Sequence, residues 1–124
     1  MRPKTPILTE QELEIMKIVW ERERATVRDV YESLLERRKI AYTTVMTMMN
    51  ILEQKKYLRK SAEDRAYIYR PAKPKKQVIQ GMVREFVDRV FNGSAEPLLV
   101  HLIEDRKLSS KDLDELRRMI GKDR

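Results

Sequence analysis

The 124-residue sequence contains no cysteine, which removes disulfides, thiolate-bound zinc, iron–sulfur clusters and a cysteine nucleophile together. Its single histidine, His101, supplies neither an imidazole pair for a metal nor the base of a serine–histidine dyad, and reads as an ordinary helix residue. Three glycines leave no Gly-rich phosphate loop and no dinucleotide-binding turn. No metal site, no cofactor and no enzymatic activity are therefore expected. Uninterrupted apolar runs reach about three residues, against the roughly 18 that suggest a membrane span. Residues 1–6 lack the apolar core of a signal peptide. The expectation is a cytoplasmic protein that does not contact membrane.

What is present is charge. Charged residues make up 38% of the chain and hydrophobic residues 41%, enough for a modest core beneath a surface dense with ions. Lys and Arg number 27 against 20 Asp and Glu, a net charge of +7. That excess suggests a polyanionic partner without distinguishing DNA, RNA and an acidic membrane. It is unevenly spread. Residues 1–36 hold 6 basic and 8 acidic residues, residues 37–73 hold 10 and 3, and residues 74–124 hold 11 and 9. The middle third carries the whole excess.

Three helix starts use one device. Thr9 with Glu12, Thr26 with Asp29 and Ser109 with Asp112 fit the capping box, in which the hydroxyl accepts from the N3 amide and the acid reaches back to the cap amide. Leu8 with Leu13 and Leu108 with Leu113 add hydrophobic staples. A first helix is expected over about 10–22, turning Leu13, Met16, Ile18, Val19 and Trp20 inward. A second is expected from 26 to about 38, with Val27, Val30, Tyr31, Leu34 and Leu35 on one face. Only the polar stretch 23–25 separates them, the spacing of a helix-turn-helix.

The third expected helix, about 42–56, separates its faces cleanly. At 100° per residue Thr43, Thr47, Asn50 and Gln54 fall together, opposite Val45, Met48, Met49 and Leu52. A short, uncharged, hydrogen-bonding stripe differs from the Lys/Glu mixture of a merely solvated face. A Thr methyl can meet the thymine methyl, its hydroxyl can bond a base edge, and Asn can grip adenine. Tyr42 opens the same helix, and Met46 is the one methionine that projects off the apolar side.

Two alternating runs come next, 57–61 and 66–70, around the polar centre 62–65, and read as a hairpin whose turn lacks Gly and whose type stays open. Leu58, Tyr67 and Tyr69 are expected to anchor it, and Arg59, Lys60, Arg65 and Arg70 to lie on or beside the ribbon. Such a wing commonly supplies phosphate or minor-groove contacts. Pro71 and Pro74 mark a boundary, dividing the chain into a DNA-binding domain, 1–73, and a helical dimerisation domain, 74–124. The latter is expected to hold helices over about 75–91, 94–105 and 109–120. Val78, Met82, Phe86 and Val90 on the first, Leu98, Leu99 and Leu102 on the second, and Leu113 and Leu116 on the third are its candidate dimer contacts. About fifty residues this apolar hide too little of themselves alone, which favours a second copy as the cover.

Taken together, several motifs make the chain resemble the penicillinase and methicillin-resistance repressors, related to the copper-responsive repressors. They are Thr9 to Glu12 with Leu13, Met16 and Trp20; Thr26 to Val30; Ala41 to Thr47 with Leu52 and Lys55; and Asp64 to Tyr67 with Tyr69 and Pro71. The resemblance covers residues 8–120. It implies a mainly α fold with a small β wing, a winged helix-turn-helix followed by a helical dimerisation domain, and repression at pseudo-palindromic operators. It implies contacts from Thr43, Thr44, Thr47 and the wing's Arg65, with Thr26 and Arg28 where the second helix approaches the DNA backbone. It also implies a regulatory protease as a partner. Three positions depart from the family. Lys55-Lys56 stands where many relatives end the recognition helix with Lys-Gly. The bond His101–Leu102 stands where penicillinase repressors are cut at Asn-Phe. The C-terminal cysteine hook of the copper-responsive members is absent.

The expected function is thus a homodimeric, sequence-specific repressor on double-stranded DNA. The rival is a winged-helix adaptor that docks its basic face on an acidic protein. The uncharged Thr/Asn stripe argues against it, because an acidic partner favours Arg or Lys at those positions.

Overall fold

The computed structural model describes residues 8–105 and 107–122. In chain order the elements are α1 (Glu10–Arg22), α2 (Val27–Leu35), α3 (Tyr42–Gln54), β1 (Leu58–Glu63), β2 (Ala66–Pro71), α4 (Lys75–Phe91), α5 (Glu96–Glu104) and α6 (Ser110–Lys122). One compact unit runs to Gln80 and a second starts at Gly81, so the boundary falls inside α4.

In the first unit both expected capping boxes form. The Glu12 amide donates to Thr9 Oγ1 at 3.1 Å and the Thr9 amide to Glu12 Oε1 at 2.9 Å. Thr26 and Asp29 repeat the exchange at 3.0 Å in each direction. These bonds satisfy amides that a helix start otherwise leaves bare. The three helices then bury Ile15, Met16 and Val19 from α1, Val30 and Leu34 from α2, and Val45, Met49 and Leu52 from α3. The second helix is shorter than its periodicity suggests. It stops at Leu35, with the Arg37 and Arg38 amides both returning to the Leu34 carbonyl. Leu35 is 44% exposed, so it is not part of the apolar face expected of it.

β1 and β2 pair antiparallel, with Glu63 opposite Ala66. That register leaves a two-residue turn, and φ is 48° at Asp64 and 69° at Arg65. Two successive positive φ values are those of a type I′ turn, whose twist matches the flanking strands. The hairpin is anchored by Leu58, Ile68 and Tyr69, all buried. Tyr67, expected as an anchor, is instead 55% exposed. The alternation breaks because Ile68 and Tyr69 are buried in succession. Outside the hairpin, the Ala25 amide donates to the Tyr69 carbonyl at 3.0 Å and the Tyr69 amide to the Ala25 carbonyl at 2.8 Å. The turn between α1 and α2 thereby becomes a one-residue third strand. Trp20 Nε1 donates to the Lys73 carbonyl at 3.0 Å and the Ala72 amide to the Tyr57 carbonyl at 2.8 Å, fixing the chain where it leaves the wing.

The end of α3 keeps a left-handed residue although no glycine is there, with φ 72° at Lys56. The Tyr57 amide reaches the Leu52 carbonyl at 2.9 Å and the Lys56 amide the Glu53 carbonyl at 3.1 Å. This is the bond pair of a Schellman ending, completed by burial of Leu52 and Tyr57.

In the second unit, α4 ends at Asn92 and Gly93, with φ 54° and 88°. Pro97 sits in the first turn of α5, and Ser109 with Asp112 closes a third capping box at the start of α6. Phe91 packs edge-on against Phe86, with ring centres 5.9 Å apart, and lies 6.0 Å from the His101 ring. No residue of α5 is buried.

A left-handed residue with a Cβ costs on the order of 1 kcal/mol. Lys56→Gly is therefore expected to stabilise the protein by about 0.5–1 kcal/mol, net of the extra freedom glycine gives the unfolded chain. A rise in the urea midpoint at constant protein concentration checks this, and an unchanged or lower midpoint contradicts it.

Candidate nucleic-acid interface

Because α3 turns Val45, Met49 and Leu52 into the core, it presents Thr43, Thr44, Met46 and Thr47 to solvent, all exposed. The Ala41 cap offers α3 no side-chain hydrogen bond. Beside its first turn, Tyr42 stands edge-on to Tyr31 at 5.3 Å, and the Arg28 guanidinium lies 5.9 Å from the Tyr42 ring centre. The start of α2 is thus brought to the start of α3. Thr26 is half-buried, its oxygen already accepting the Asp29 amide, while Arg28 is exposed and, besides the Tyr42 ring, meets Glu32 in a weak 3.5 Å contact.

At its other end α3 is held by charge. Lys55 Nζ lies 2.9 and 3.0 Å from the two oxygens of Glu12, with side chains 25% and 7% exposed. Burial by itself would raise the Glu12 carboxyl, but the Thr9 amide and the Lys55 ammonium outweigh it and hold it below the ordinary value of 4.5.

Asn50 is half-buried, and its Oδ1 accepts from Tyr69 Oη at 2.9 Å and from Lys60 Nζ at 3.1 Å. Burial first, then the charge of Glu53, pushes the Tyr69 phenol above its ordinary value, so it remains a protonated donor. Lys60 Nζ also sits 4.6 Å from the centre of the Tyr67 ring. Arg65 is exposed at the wing tip and Arg59 is exposed on β1, opposite Arg70. Arg70 turns inward to structure. Its Nη1 meets Glu63 Oε2 at 3.0 Å, and Arg24 Nη2 meets Glu63 Oε1 at 3.3 Å. Those bonds, Arg70 and Ser61 first and then the Arg24 charge, hold the Glu63 carboxyl below its ordinary value.

The basic excess of the middle third therefore divides. Arg37 and Arg38 go to Glu14, Lys55 to Glu12 and Arg70 to Glu63. Among the described residues, Lys39, Lys56, Arg59, Lys60, Arg65 and Lys73 form no ion pair. Lys39 and Lys56 flank α3 at its two ends; the helical-face reasoning does not single them out, Lys39 because it precedes the helix and Lys56 because it stands as the last residue of the expected helix, whereas α3 ends at Gln54. The signal that finds them is a cation that meets no acid among the described residues.

In the second unit Phe86, Val90, Leu99 and Leu116 are exposed, whereas Met82, Leu98, Leu102 and Leu113 are half-buried. Val78, on the part of α4 in the first unit, is already buried within the chain. His101 is exposed in α5; its carbonyl accepts the Asp105 amide at 3.0 Å and that of Leu102 the Lys107 amide at 2.9 Å.

Three helices in this order, with the third carrying an exposed uncharged stripe beside a basic two-stranded ribbon, define a winged helix-turn-helix module. Residues 8–122 match the family described as Penicillinase repressor, and the chain belongs to that family. It is 35% identical over 116 residues to the transcriptional regulator BlaI of Mycobacterium tuberculosis, covering 92% of this chain and 83% of that protein. It is 26% identical over 113 residues to the penicillinase repressor of Bacillus licheniformis, covering 91% and 88%. The monomeric form of Bacillus licheniformis BlaI, solved in complex with the blaP half-operator, superposes with a TM-score of 0.51 at 27% identity, over 59% of this chain and 89% of that one.

Removing the Glu12 charge strands the partly buried Lys55 ammonium, and Glu12→Gln is expected to cost about 1–3 kcal/mol at neutral pH. The folded carboxyl titrates below its unfolded value, so the stabilisation is full above 4.5 and fades as pH falls through the lowered folded value. Urea unfolding across the acid range should show the gap between parent and variant closing; a gap independent of pH contradicts the assignment.

Proposed function

We propose that the protein is a sequence-specific transcriptional repressor that binds pseudo-palindromic operator DNA as a homodimer and acts by occupying the site. The observation that carries this reading is the exposed, uncharged surface of Thr43, Thr44 and Thr47 on α3, flanked by Lys39 and Lys56, which form no ion pair among the described residues, in a chain of the penicillinase repressor family. In a major groove about 12 Å wide, Thr43 and Thr47 offer a methyl and a hydroxyl to base edges. Thr44, about 100° around the helix, suits a phosphate, as do Arg28, Arg59, Lys60 and Arg65. Lys39 and Lys56 extend the same electrostatic footing.

Residues 1–73 do this work in the proposal, and residues 74–124 pair the subunits. Val83, Phe86 and Val90 of α4 and Leu99, Val100 and Ile103 of α5 leave large apolar side chains exposed, and a second copy is the cover we assign to them. Pairing sets two recognition helices about one helical turn apart. The bond that a regulatory protease of the family's type would meet is His101–Leu102, which lacks the Asn-Phe pair cut in the penicillinase repressors. The carbonyl of that bond, His101's, accepts the Asp105 amide at 3.0 Å within α5, so α5 must unwind locally before the bond is cut.

Selection from random duplex DNA at two salt concentrations, followed by sizing of the bound complex, tests the reading. Thr47→Ala is expected to relax preference at one base position by about 1 kcal/mol with little change in salt slope. Arg65→Ala is expected to weaken all sequences and reduce the slope by about 1. Equal binding of selected and scrambled duplexes contradicts the repressor and favours the adaptor with an acidic partner; one subunit per duplex contradicts the dimer.

A further inference from the structure

The chemistry at Asn50 differs from what its place on the α3 stripe suggests. An ammonium can only donate, so the Asn50 atom 3.1 Å from Lys60 Nζ is the carbonyl oxygen, and the Tyr69 hydroxyl 2.9 Å away must donate to it as well. Both lone pairs of that oxygen are then in use. A bidentate grip on adenine needs this same oxygen to accept from the base's amino group while the amide nitrogen donates to N7. Tyr69 cannot move aside to release it. Its side chain is fully buried and its backbone is bonded to Ala25 in both directions. Lys60 stands directly opposite Tyr69 in the hairpin register, so a single amide oxygen reaches both strands of the wing from the recognition helix.

We propose that Asn50 is a positioning residue that pins the wing to the recognition helix, and not a reader of adenine; the proposal rests on the DNA-binding reading above. The pin fixes where the wing cations stand when Thr43 and Thr47 are in the groove. Base readout and phosphate footing are then engaged together. Loosening the pin costs binding on every sequence alike, because the lost alignment concerns the phosphates and not one base.

The test uses the full-length protein against its selected operator, a scrambled duplex and a panel carrying each single-base substitution. Asn50→Ala and Tyr69→Phe are expected to weaken operator and panel by a common factor of roughly 5- to 30-fold, with the order of preference unchanged. Asn50→Asp keeps the acceptor for Tyr69 and Lys60 and is expected to keep the parent's preferences. A reader of adenine behaves otherwise. Asn50→Ala then flattens one adenine position, Asn50→Asp moves that position toward cytosine, and Tyr69→Phe, by freeing the oxygen, leaves or improves binding; any of these overturns the assignment alone. A parent that fails to distinguish operator from scrambled duplex overturns the DNA reading itself. Thermal unfolding identifies the variants that are folded, and if Asn50→Ala is not, Tyr69→Phe, which keeps the buried ring, and Asn50→Asp decide the matter.

Discussion

Glu12 holds two helices with one carboxylate. At the start of α1 it accepts the Thr9 amide, and at the end of α3 it receives the Lys55 ammonium on both oxygens. Each charge also suits its own helix, the acid at an N-terminus and the base at a C-terminus. These gains offset the desolvation of a pair that is mostly out of water. The path of the chain beyond α3 depends on this tie. Lys55 is the C-cap of α3, the next residue takes the left-handed conformation, and Tyr57 bonds back to Leu52 before β1 begins. Fixing the last turn of α3 thus fixes both the direction of the recognition helix and the point from which the wing departs.

The wing is then secured by two further ties of different kinds. The Ala25–Tyr69 exchange is backbone pairing, indifferent to salt and to side-chain identity. The Glu63 carboxylate, shared between Arg24 of the α1–α2 turn and Arg70 of β2, is an exposed electrostatic tie, screened by water and salt and so a weak contributor to stability. Its larger effect is on charge. By occupying Arg70, as Glu14 occupies Arg37 and Arg38, the acids of the module leave Arg59, Lys60 and Arg65 as wing cations with no ion pair among the described residues. A net charge of +7 becomes a directed surface because some of its cations are committed to the fold.

The legible parts of this architecture were local. The capping boxes at Thr9, Thr26 and Ser109 involve residues three apart, and the face of α3 follows from helical period, so both could be read directly from the chain. The alternation of 57–61 and 66–70 made the hairpin legible too, and the resemblance added the family. Features that were not legible depend on distant partners. Nothing near Ala25 announces that it will pair with Tyr69, and without that pairing the burial of Ile68 and Tyr69, and with it the exposure of Tyr67, has no local cause. The left-handed Lys56 and the type I′ turn at Asp64 and Arg65 occur without the glycine that usually marks them. The Schellman bonds in one case and the strand register in the other hold these residues where local preference would not. Asn50 falls on the correct face of α3, yet its chemistry is set by Tyr69, 19 residues away.

These ties bear on function only if α3 enters the major groove, once per subunit. Methylation interference on the selected duplex measures that directly, because dimethyl sulfate marks guanine N7 in the major groove and adenine N3 in the minor groove. With two recognition helices docked, interference should fall at guanine N7 in two patches about 10–10.5 base pairs apart on one face of the helix. Interference confined to adenine N3, or a single major-groove patch, would contradict it.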